Sequence, residues 1–468
     1  MQDAGRVIAI IGGGFCGVAL TIRLLRQSAP GALRIVIIEP RAELGAGVAY
    51  ATRDYPYPLN VAAGHMSLDG AAPHDFLEFV RGQGINASAG DYLPRQVYGE
   101  YLRARLAESS RNIPESLRPR HRRARVLQLR RVAAGWELWL DDGSTQHADD
   151  VVLAIGNAPP ARLAEFAPIA GSVRLIDDPW TLGDCAHQDI GSVLLLGSGL
   201  TMVDAALRLA AIRPRVTRIH ALSRHGLLPQ SQASESRPAR KPGLDALRGD
   251  SARRLTRLLR DAARQVEAAG GDWREVFALV RPRLPSIWSA LSNVERARFL
   301  RHARAHWDVN RHRAPAGPLA AVRTLERQGV FEVHAGRLEE LRPLDEMIEV
   351  TWRPRGAERT RAWLVDRVVN CTGPDARVTR NPDPLVQSLL AGGWIRPDAQ
   401  ALGIDVAPDG RVISRDGTPV DRVHYLGPWL RARDWEATAV PELREHAARL
   451  ARVLLEQGRI VGRMTATG

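Results

Sequence analysis

One pattern occurs twice along the chain and limits the folds that it can adopt. An apolar run at Arg6 to Ile11 is followed by glycines, by a stretch of helical spacing, and by a second apolar run that ends at Ile38. The same order recurs between Val193 and Leu222. A short apolar run, a glycine turn and a helix that leads to another apolar run predict a βαβ motif with parallel strands. The chain therefore contains two such motifs.

Each βαβ motif is followed by alternating apolar and polar residues. The alternation covers Val126 to Leu140 in the first copy and about Val330 to Trp352 in the second. A period of two residues predicts antiparallel strands, so each copy should carry a small meander. Each meander leads to a further apolar strand, at Val151 to Ile155 and at Arg367 to Asn370.

The first glycine turn contains Gly12, Gly14 and Gly17, directly after a strand and at the start of a helix. Such glycines permit a tight turn, let the backbone approach a pyrophosphate, and let the helix pack on the sheet. Glu39 ends the second strand, where an acid accepts hydrogen bonds from ribose hydroxyls. An acid there also repels a 2′-phosphate, so FAD or NAD fits this motif better than NADP.

The second turn has Gly197 and Gly199, with Met202 in the third glycine position. Arg224 follows the second strand in place of an acid and can pair with a 2′-phosphate in bidentate fashion. We therefore expect a nicotinamide site, with NADPH ahead of NADH. The alternative is a nucleotide fold that has lost its ligand.

The predicted fold class is α/β, with two Rossmann-like dinucleotide-binding domains, each with an antiparallel meander, and a helical insertion. We expect an FAD-binding domain from residues 1–188 and 375–468, and a nicotinamide domain at residues 189–374. The insertion spans about 229–318. Within it, Arg253 to Val266 and Val294 to His306 have helical apolar spacing with arginines on the other face.

Composition excludes several classes of protein. The formal charge is +13, but Lys241 is the only lysine, which suggests a compositional bias toward arginine, so nucleic-acid binding is not expected. The three cysteines are far apart and have no metal-ligand spacing, so no metal site is expected. No apolar run is long enough to span a membrane and no signal peptide is visible, which favours the cytoplasm. Oligomeric state is not indicated.

Motifs along nearly the whole chain resemble those of one family. They are Gly12-Gly13-Gly14-Phe15-Cys16-Gly17, Gly47-Val48-Ala49-Tyr50, Leu59-Asn60-Val61, Pro94-Arg95-Gln96-Val97-Tyr98-Gly99, Ser223-Arg224-His225-Gly226-Leu227 and Trp435-Glu436-Ala437-Thr438-Ala439-Val440-Pro441. The chain resembles bacterial FAD/NAD(P)-binding flavoprotein monooxygenases, a group that includes an FAD-dependent urate hydroxylase and lies near the N-hydroxylating monooxygenases. Serine is usual in this family where the chain has Cys16.

The resemblance implies further cofactor contacts. Phe15 belongs to the first turn, and Asn60 should lie against the flavin ring. Gly427 and the helix after Thr438 should close over the same ring. Gly156 ends a strand like the one that returns beneath the nucleotide in flavoproteins with two dinucleotide sites.

A cluster in the insertion is the candidate for substrate contact. It contains Arg311 and His312, which we expect to face the nicotinamide or the substrate. Arg95 is a third candidate, because arginine suits flat anionic acceptors. The simpler interpretation is that neighbouring Trp307 is part of the core and Arg313 a surface charge.

The expected function is an FAD-dependent, NAD(P)H-consuming monooxygenase that takes O2 and a small nitrogen-containing anion. The resemblance puts hydroxylation of urate to 5-hydroxyisourate first and N-hydroxylation of an amino acid second. An FAD/NAD(P)H oxidoreductase and a flavin-containing redox sensor remain as alternatives. A disulfide reductase would need a close cysteine pair, which the sequence lacks.

Overall fold

The chain forms two compact units. The computed structural model describes residues 5–29, 31–185, 190–212, 216–232 and 251–466. Unit 1 consists of Met1–Asn157, Leu284–Ser289 and Ala376–Gly468, and unit 2 of Ala158–Arg283 and Ala290–Asp375.

The strands, in chain order, are β1 (Arg6–Ile11), β2 (Leu33–Ile38), β3 (Arg120–Arg122), β4 (Val126–Val132), β5 (Gly135–Leu140), β6 (Thr145–Ala148), β7 (Asp150–Leu153), β8 (Leu175–Ile176), β9 (Ser192–Leu196), β10 (Arg218–Ser223), β11 (Phe331–Pro343), β12 (Ile348–Pro354), β13 (Arg361–Val365), β14 (Arg367–Asn370), β15 (Arg411–Ile413) and β16 (Pro419–Tyr425).

The helices are α1 (Phe15–Gln27), α2 (Asp75–Gly82), α3 (Arg95–Ser110), α4 (Leu200–Ala211), α5 (Ala252–Ala268), α6 (Arg274–Val280), α7 (Leu284–Ala290), α8 (Asn293–His302), α9 (Arg304–Arg311), α10 (Ala316–Arg327), α11 (Pro384–Ala391), α12 (Arg431–Asp434) and α13 (Val440–Ala466).

Unit 1 is built on a six-stranded sheet in the order β15-β16-β7-β1-β2-β3. β1 pairs in parallel with β2 on one side and with β7 on the other. Its residues from Ile8 to Ile11 are buried, as expected for a central strand covered on both faces. α1 lies on one face and packs against α3 and α13. The predicted first βαβ motif is confirmed.

The first meander forms a separate sheet. β4, β5 and β6 pair antiparallel in sequence order and have no strand partner outside this group among the described residues. Trp136 is buried beneath the sheet with its ring edge-on to Trp394. Alternation of buried and exposed residues along β5 gives this sheet one covered face and one solvated face.

The second meander is part of the main sheet of unit 2. The strand order is β13-β12-β11-β10-β9-β14-β8. β11 pairs in parallel with β10 up to Ala335 and antiparallel with β12 from Gly336 onward. A side chain at Gly336 would come within 2.5 Å of the Arg353 carbonyl oxygen. One strand thus links the parallel and antiparallel halves.

The predicted first domain runs to residue 188, whereas in the structure unit 2 begins at Ala158. β8 lies between these two positions and pairs in parallel with β14, Val368 opposite Leu175. At the other end of unit 2, the Asp375 amide donates to the Pro159 carbonyl at 3.0 Å. These backbone bonds place residues 158–185 in unit 2 rather than with the first sheet.

The insertion is helical where the structure describes it, and residues 233–250 lie outside the described residues. The predicted helix from Arg253 corresponds to α5, whereas the one from Val294 is divided into α8 and α9 at Ala303. Residues Leu284–Ser289 belong to unit 1, where Trp288 Nε1 donates to the Ala432 carbonyl at 2.9 Å. None of the described helices has an apolar stretch that could cross a bilayer.

A buried histidine adds a pH-dependent contribution to the stability of unit 1. His424 on β16 is fully buried, and neither ring nitrogen has a hydrogen-bond partner among the described residues. Burial lowers its pKa from 6.5 to about 4, with Arg6 and Arg411 acting in the same direction and Asp409 opposing them. The imidazole is therefore neutral in the folded protein at neutral pH.

We expect the free energy of unfolding to fall between pH 6.5 and about 4, because over this interval the unfolded chain binds a proton that folded His424 does not. The loss should level off below that interval and amount to at most about 3 kcal/mol from this group. Urea denaturation across the interval should show a smaller loss for His424→Leu than for the unmodified protein. Equal losses in both proteins would contradict this.

Candidate functional site

The first glycine turn brings the ends of three strands together. Gly12 has φ +109°, and a Cβ there would lie 2.4 Å from the Ala154 carbonyl oxygen that follows β7. Its amide donates to the Ile38 carbonyl at the end of β2, at 2.9 Å. Only glycine combines this conformation with so close an approach. The carboxyl ends of β1, β2 and β7 therefore meet at Gly12.

The two other glycines of this turn have different surroundings. A Cβ at Gly17 would lie 2.0 Å from the Gly12 carbonyl oxygen, so this glycine lets α1 pack on the end of β1. At Gly14, a Cβ would meet only the Cα of Gly47, at 3.6 Å. Gly17 is thus required by the fold, whereas a Cβ at Gly14, at the N-terminus of α1, would make only one ordinary contact within the protein.

A second glycine pair faces this turn. Gly45 and Gly47 have φ +92° and +51°, and the Gly45 amide donates to the Gly13 carbonyl at 2.7 Å. A Cβ at Gly47 would lie 3.3 Å from the Cα of Gly14. The role of Gly45 was not predicted, although the sequence contains the Gly45-Ala46-Gly47 spacing. The loop after β2 forms a wall opposite the N-terminus of α1 that has no side chains at these positions.

Glu39 lies where the sequence predicts an acid, at the end of β2. Its side chain is 5% exposed and accepts hydrogen bonds from the Gly13 amide at 2.9 Å and the Arg41 amide at 3.0 Å. Arg41 Nη1 lies 3.3 Å from the same carboxylate. These donors hold the carboxylate beside the glycine turn.

Unit 2 repeats the turn. Gly197 has φ +121°, a Cβ there would lie 2.3 Å from the Cys371 carbonyl oxygen, and its amide donates to the Leu222 carbonyl at 2.8 Å. Gly199 has no atom within 4 Å of a Cβ position. Met202 is fully buried in the core under α4. The close strand contact is kept, and only the helix packing at the third glycine position differs.

Hydrogen bonds fix the loop after β10. The Ser198 hydroxyl donates to the Leu227 carbonyl and lies 2.7 Å from both this oxygen and the Ser223 hydroxyl. The Ser223 hydroxyl accepts from the Gly226 amide at 3.0 Å. This loop carries Arg224, so the second glycine turn and the predicted phosphate ligand are joined by direct contacts.

Basic groups surround this loop. Arg224 is exposed and forms no ion pair with any residue that the structure describes. The neighbouring His225 ring lies 3.2 Å from Arg355 Nη1 and 6.1 Å from the His306 ring centre. Partial burial lowers the pKa of His225, and the charges of Arg355 and Arg224 lower it further. Arg355 lies far away in the sequence, which contains no signal for its presence here.

Some of the residues that were expected around a flavin lie at the edge of the unit 1 sheet that carries the glycine turn. β16 pairs in parallel with β7, so Gly427 and Gly156 follow adjacent strands beside Gly12. Gly427 is buried and Gly156 is exposed, with no atom within 4 Å of its Cβ position. Asn60 and Thr438 are exposed in loops. The Phe15 side chain packs in the core 6.3 Å from the Tyr98 ring, so only its backbone faces the turn.

Trp435 is strained and was not singled out by itself in the sequence analysis. It has φ +59°, a conformation that is rare for a bulky residue and is often found at functional sites. Its ring stacks on Trp288 at 4.6 Å, and the Arg431 guanidinium lies 4.3 Å from its centre. These contacts stabilise the strained turn that leads to Thr438.

The three candidate substrate residues lie in different units. Arg95 begins α3 in unit 1 and donates from Nε to the Pro58 carbonyl at 3.1 Å. Arg311 ends α9 in unit 2, and His312 follows it with Nε2 3.8 Å from Asp308 Oδ1. Arg311 and His312 are adjacent in the chain, and Arg95 belongs to the other unit. Trp307 is buried near Phe277 and Phe299, as the simpler interpretation expected.

Comparison with protein families supports a dinucleotide site at the first glycine turn. A family model described as FAD-NAD(P)-binding matches residues 9–158, which include the first glycine turn, Glu39 and Gly156. Comparison with curated proteins gives no match.

Solved structures share the fold over nearly the whole chain. The Kutzneria sp. 744 ornithine N-hydroxylase, solved with reduced FAD, NADP+ and L-ornithine, is 14% identical with a TM-score of 0.65, and covers 97% of this chain and 99% of that one. The Pseudomonas syringae L-lysine 6-monooxygenase is 17% identical with a TM-score of 0.62, at 96% and 99% coverage. The Bacillus cereus bacillithiol disulfide reductase is 15% identical with a TM-score of 0.54, at 97% and 99% coverage. The predicted α/β fold is confirmed.

Gly14→Ala should fold normally but lose bound dinucleotide, because its methyl group fills space that only Gly47 borders within the protein. Gly17→Ala should instead lower the melting temperature, since its methyl group overlaps the Gly12 carbonyl. Gly82→Ala is the matched control, with no atom within 4 Å of the new carbon. Bound dinucleotide is released by denaturation and measured by chromatography. A full amount of dinucleotide in Gly14→Ala would contradict the assignment.

Proposed function

We propose that the protein is an FAD-dependent, NAD(P)H-consuming monooxygenase that hydroxylates the amine nitrogen of a small amino acid or diamine. The observation that carries this proposal is the repeated glycine turn, with the same close strand contact at Gly12 and Gly197. Two dinucleotide folds in one chain suit an enzyme that passes a hydride from one nucleotide to another. The likeness to N-hydroxylases over nearly the whole chain supports the reaction class.

The residues of unit 1 fit FAD. Gly14 has room for a Cβ and lies at the N-terminus of α1, where amides and the helix dipole favour a pyrophosphate. The Glu39 oxygens have lone pairs left for ribose hydroxyls beyond the two backbone amides that they accept from. When bound, FAD would supply hydride acceptance and O2 activation, which side chains lack. The protein's share is binding, orientation and exclusion of water.

The residues of unit 2 fit a nicotinamide dinucleotide with a 2′-phosphate. Gly199 takes the place of Gly14, with nothing within 4 Å of its Cβ position, and an exposed arginine follows β10 where unit 1 has an acid. Arg355 adds a second guanidinium beside His225. Guanidinium groups bind phosphate in bidentate fashion, so NADPH is the preferred coenzyme in this proposal.

N-hydroxylation replaces urate hydroxylation as the first choice of reaction. The ornithine and lysine enzymes above share the fold, and none of the comparisons supports urate. An amino acid also presents a carboxylate for which Arg95 or Arg311 is a suitable partner. Its amine reacts only when unprotonated, and we assign to His312 the role of proton acceptor, since histidine titrates near neutral pH.

The disulfide reductase alternative has less support, although one such reductase shares the fold. Burial raises the pKa of Cys16 to about 12 and raises the pKa of Cys371 as well. Thiols in this state are poor nucleophiles. They also belong to different compact units. A redox sensor remains distinguishable from an enzyme by how fast NADPH reduces the bound flavin without oxygen.

The substrate class can be tested by NADPH oxidation with ornithine, lysine, cadaverine or urate, coupled to mass spectrometry of the products. We expect one of the amines to accelerate oxidation and to gain one oxygen atom as a hydroxylamine. His312→Gln should shift the pH profile of this reaction upward while it leaves flavin content unchanged. Consumption of urate without any hydroxylamine would reverse the order of the two reactions.

Arg224→Ala should raise the KM for NADPH by about tenfold or more and leave that for NADH nearly unchanged, since a charged hydrogen-bond set is worth about 1.5 to 3 kcal/mol. Arg355→Ala should act in the same direction. Arg218→Ala, an exposed arginine at the other end of β10, is the matched control and should change neither value. Steady-state kinetics with both coenzymes measure the effect, and an equal change in both KM values would remove Arg224 from the phosphate site.

A further inference from the structure

Two neighbouring strands of unit 2 place three metal-binding side chains together. His220 lies on β10, and Glu332 and His334 lie on β11. In the parallel register, His220 is opposite Glu332 and Leu222 is opposite His334. Residues two apart on a strand share a face, and so do residues directly opposite each other on neighbouring strands. All three side chains therefore stand on the same side of the sheet. This cluster has no part in the glycine turns or in the proposed reaction.

The ligand atoms of the cluster have the separations of a tetrahedral metal site. His220 Nδ1 lies 3.4 Å from His334 Nε2, His334 Nε2 lies 3.3 Å from Glu332 Oε2, and His220 Nδ1 lies 3.7 Å from the same oxygen. A tetrahedral ion with bonds of about 2.0–2.2 Å holds its ligand atoms about 3.3–3.6 Å apart. One ion can therefore reach all three atoms with little side-chain movement. No other group of this kind occurs among the described residues.

Aromatic contacts hold the ligands in place. The His220 ring stacks on Trp363 at 4.5 Å with an interplanar angle of 7°, and the His334 ring lies 4.7 Å from the same indole. Trp352 contacts His334 from another side at 5.2 Å. Restricted rings lose little freedom when an ion binds, so the site is preorganised.

We propose that His220, Glu332 and His334 bind a divalent transition-metal ion of the zinc type. Two imidazole nitrogens and one carboxylate oxygen form a three-ligand set that zinc accepts with a fourth position left for water or a small ligand. The side chain of Glu332 is 44% exposed, so solvent reaches the cluster from its side. A hydrogen-bonded cluster without metal explains the three contacts less well, because the ring nitrogens are 3.4 Å apart, which is long for a hydrogen bond.

The site was not predicted from sequence because its ligands come from distant segments. His220 and His334 are 114 residues apart, and only strand pairing brings them together. The absence of cysteine spacing, on which the expectation of no metal rested, does not bear on a histidine and carboxylate set.

The test uses the full chain without a histidine tag, stripped of metal by a chelator. Titration with Co2+ should give the visible absorption of a tetrahedral complex at one ion per chain, and Zn2+ should displace it. Isothermal titration with Zn2+ gives the affinity. Neither readout depends on flavin, coenzyme or turnover, so failure here is distinguishable from failure of the proposed function.

Two variants locate the ion. Glu332→Gln removes a charged ligand from a partly exposed position, and His220→Phe removes a ligand nitrogen but retains a ring to stack on Trp363. Each should weaken binding at least about tenfold, the lower range for loss of groups that support a metal. His147→Ala, an exposed histidine of unit 1, should leave binding unchanged. Circular dichroism checks that each variant is folded.

Two results would overturn the proposal. One is the absence of saturable Co2+ or Zn2+ binding below about 1 mM in the unmodified chain. The other is unchanged affinity and stoichiometry in both Glu332→Gln and His220→Phe, which would mean that the ion binds elsewhere.

Discussion

In each unit, the fold depends on one close contact between a glycine and the backbone of a neighbouring strand. In unit 1 the Cα of Gly12 lies against the carbonyl of Ala154, and in unit 2 Gly197 lies against Cys371 in the same way. A side chain of any kind would separate the first strand of each motif from the strand that returns after the meander. This contact brings the carboxyl ends of three parallel strands together. It therefore also positions the N-terminus of the following helix and the residue after the second strand, which is Glu39 in unit 1 and Arg224 in unit 2. Under the proposed function, the two dinucleotide sites are arranged around these two points.

The two units differ in how closely they surround the space beside the turn. In unit 1, Gly14 faces Gly47 across a narrow gap, and Gly17 lets the helix pack tightly. In unit 2, nothing lies near Gly199, and the third glycine position holds Met202. A nucleotide that stays with the enzyme suits the first arrangement, and one that must leave after each turnover suits the second. Under the proposed function, these are the respective roles of FAD and NADPH.

What could be predicted from the sequence was local, and what was missed depends on partners far along the chain. The glycine turns, the βαβ motifs and both meanders follow from short-range patterns, because backbone conformation and strand periodicity are written in neighbouring residues. Arg355 beside His225 and the membership of Leu284–Ser289 in unit 1 have no local signal. The positive φ of Trp435 could not be predicted either, since the residue itself gives no hint of that conformation and its contacts with Trp288 and Arg431 exist only in the folded chain. Arg95, Arg311 and His312 stay predictions as substrate contacts.

The first meander forms its own sheet, whereas the second is part of the main sheet of its unit. This difference affects how each unit tolerates insertions. β4 to β6 form a sheet of their own, so a change of length in their turns would not shift the register of the six-stranded sheet, although their covered face packs in the core of unit 1. In unit 2, β11 is shared between both kinds of pairing and turns from one to the other at Gly336. Any insertion near that glycine would shift the register of the parallel sheet and of the hairpin at once. The meander of unit 2 is therefore less tolerant of insertions than the meander of unit 1.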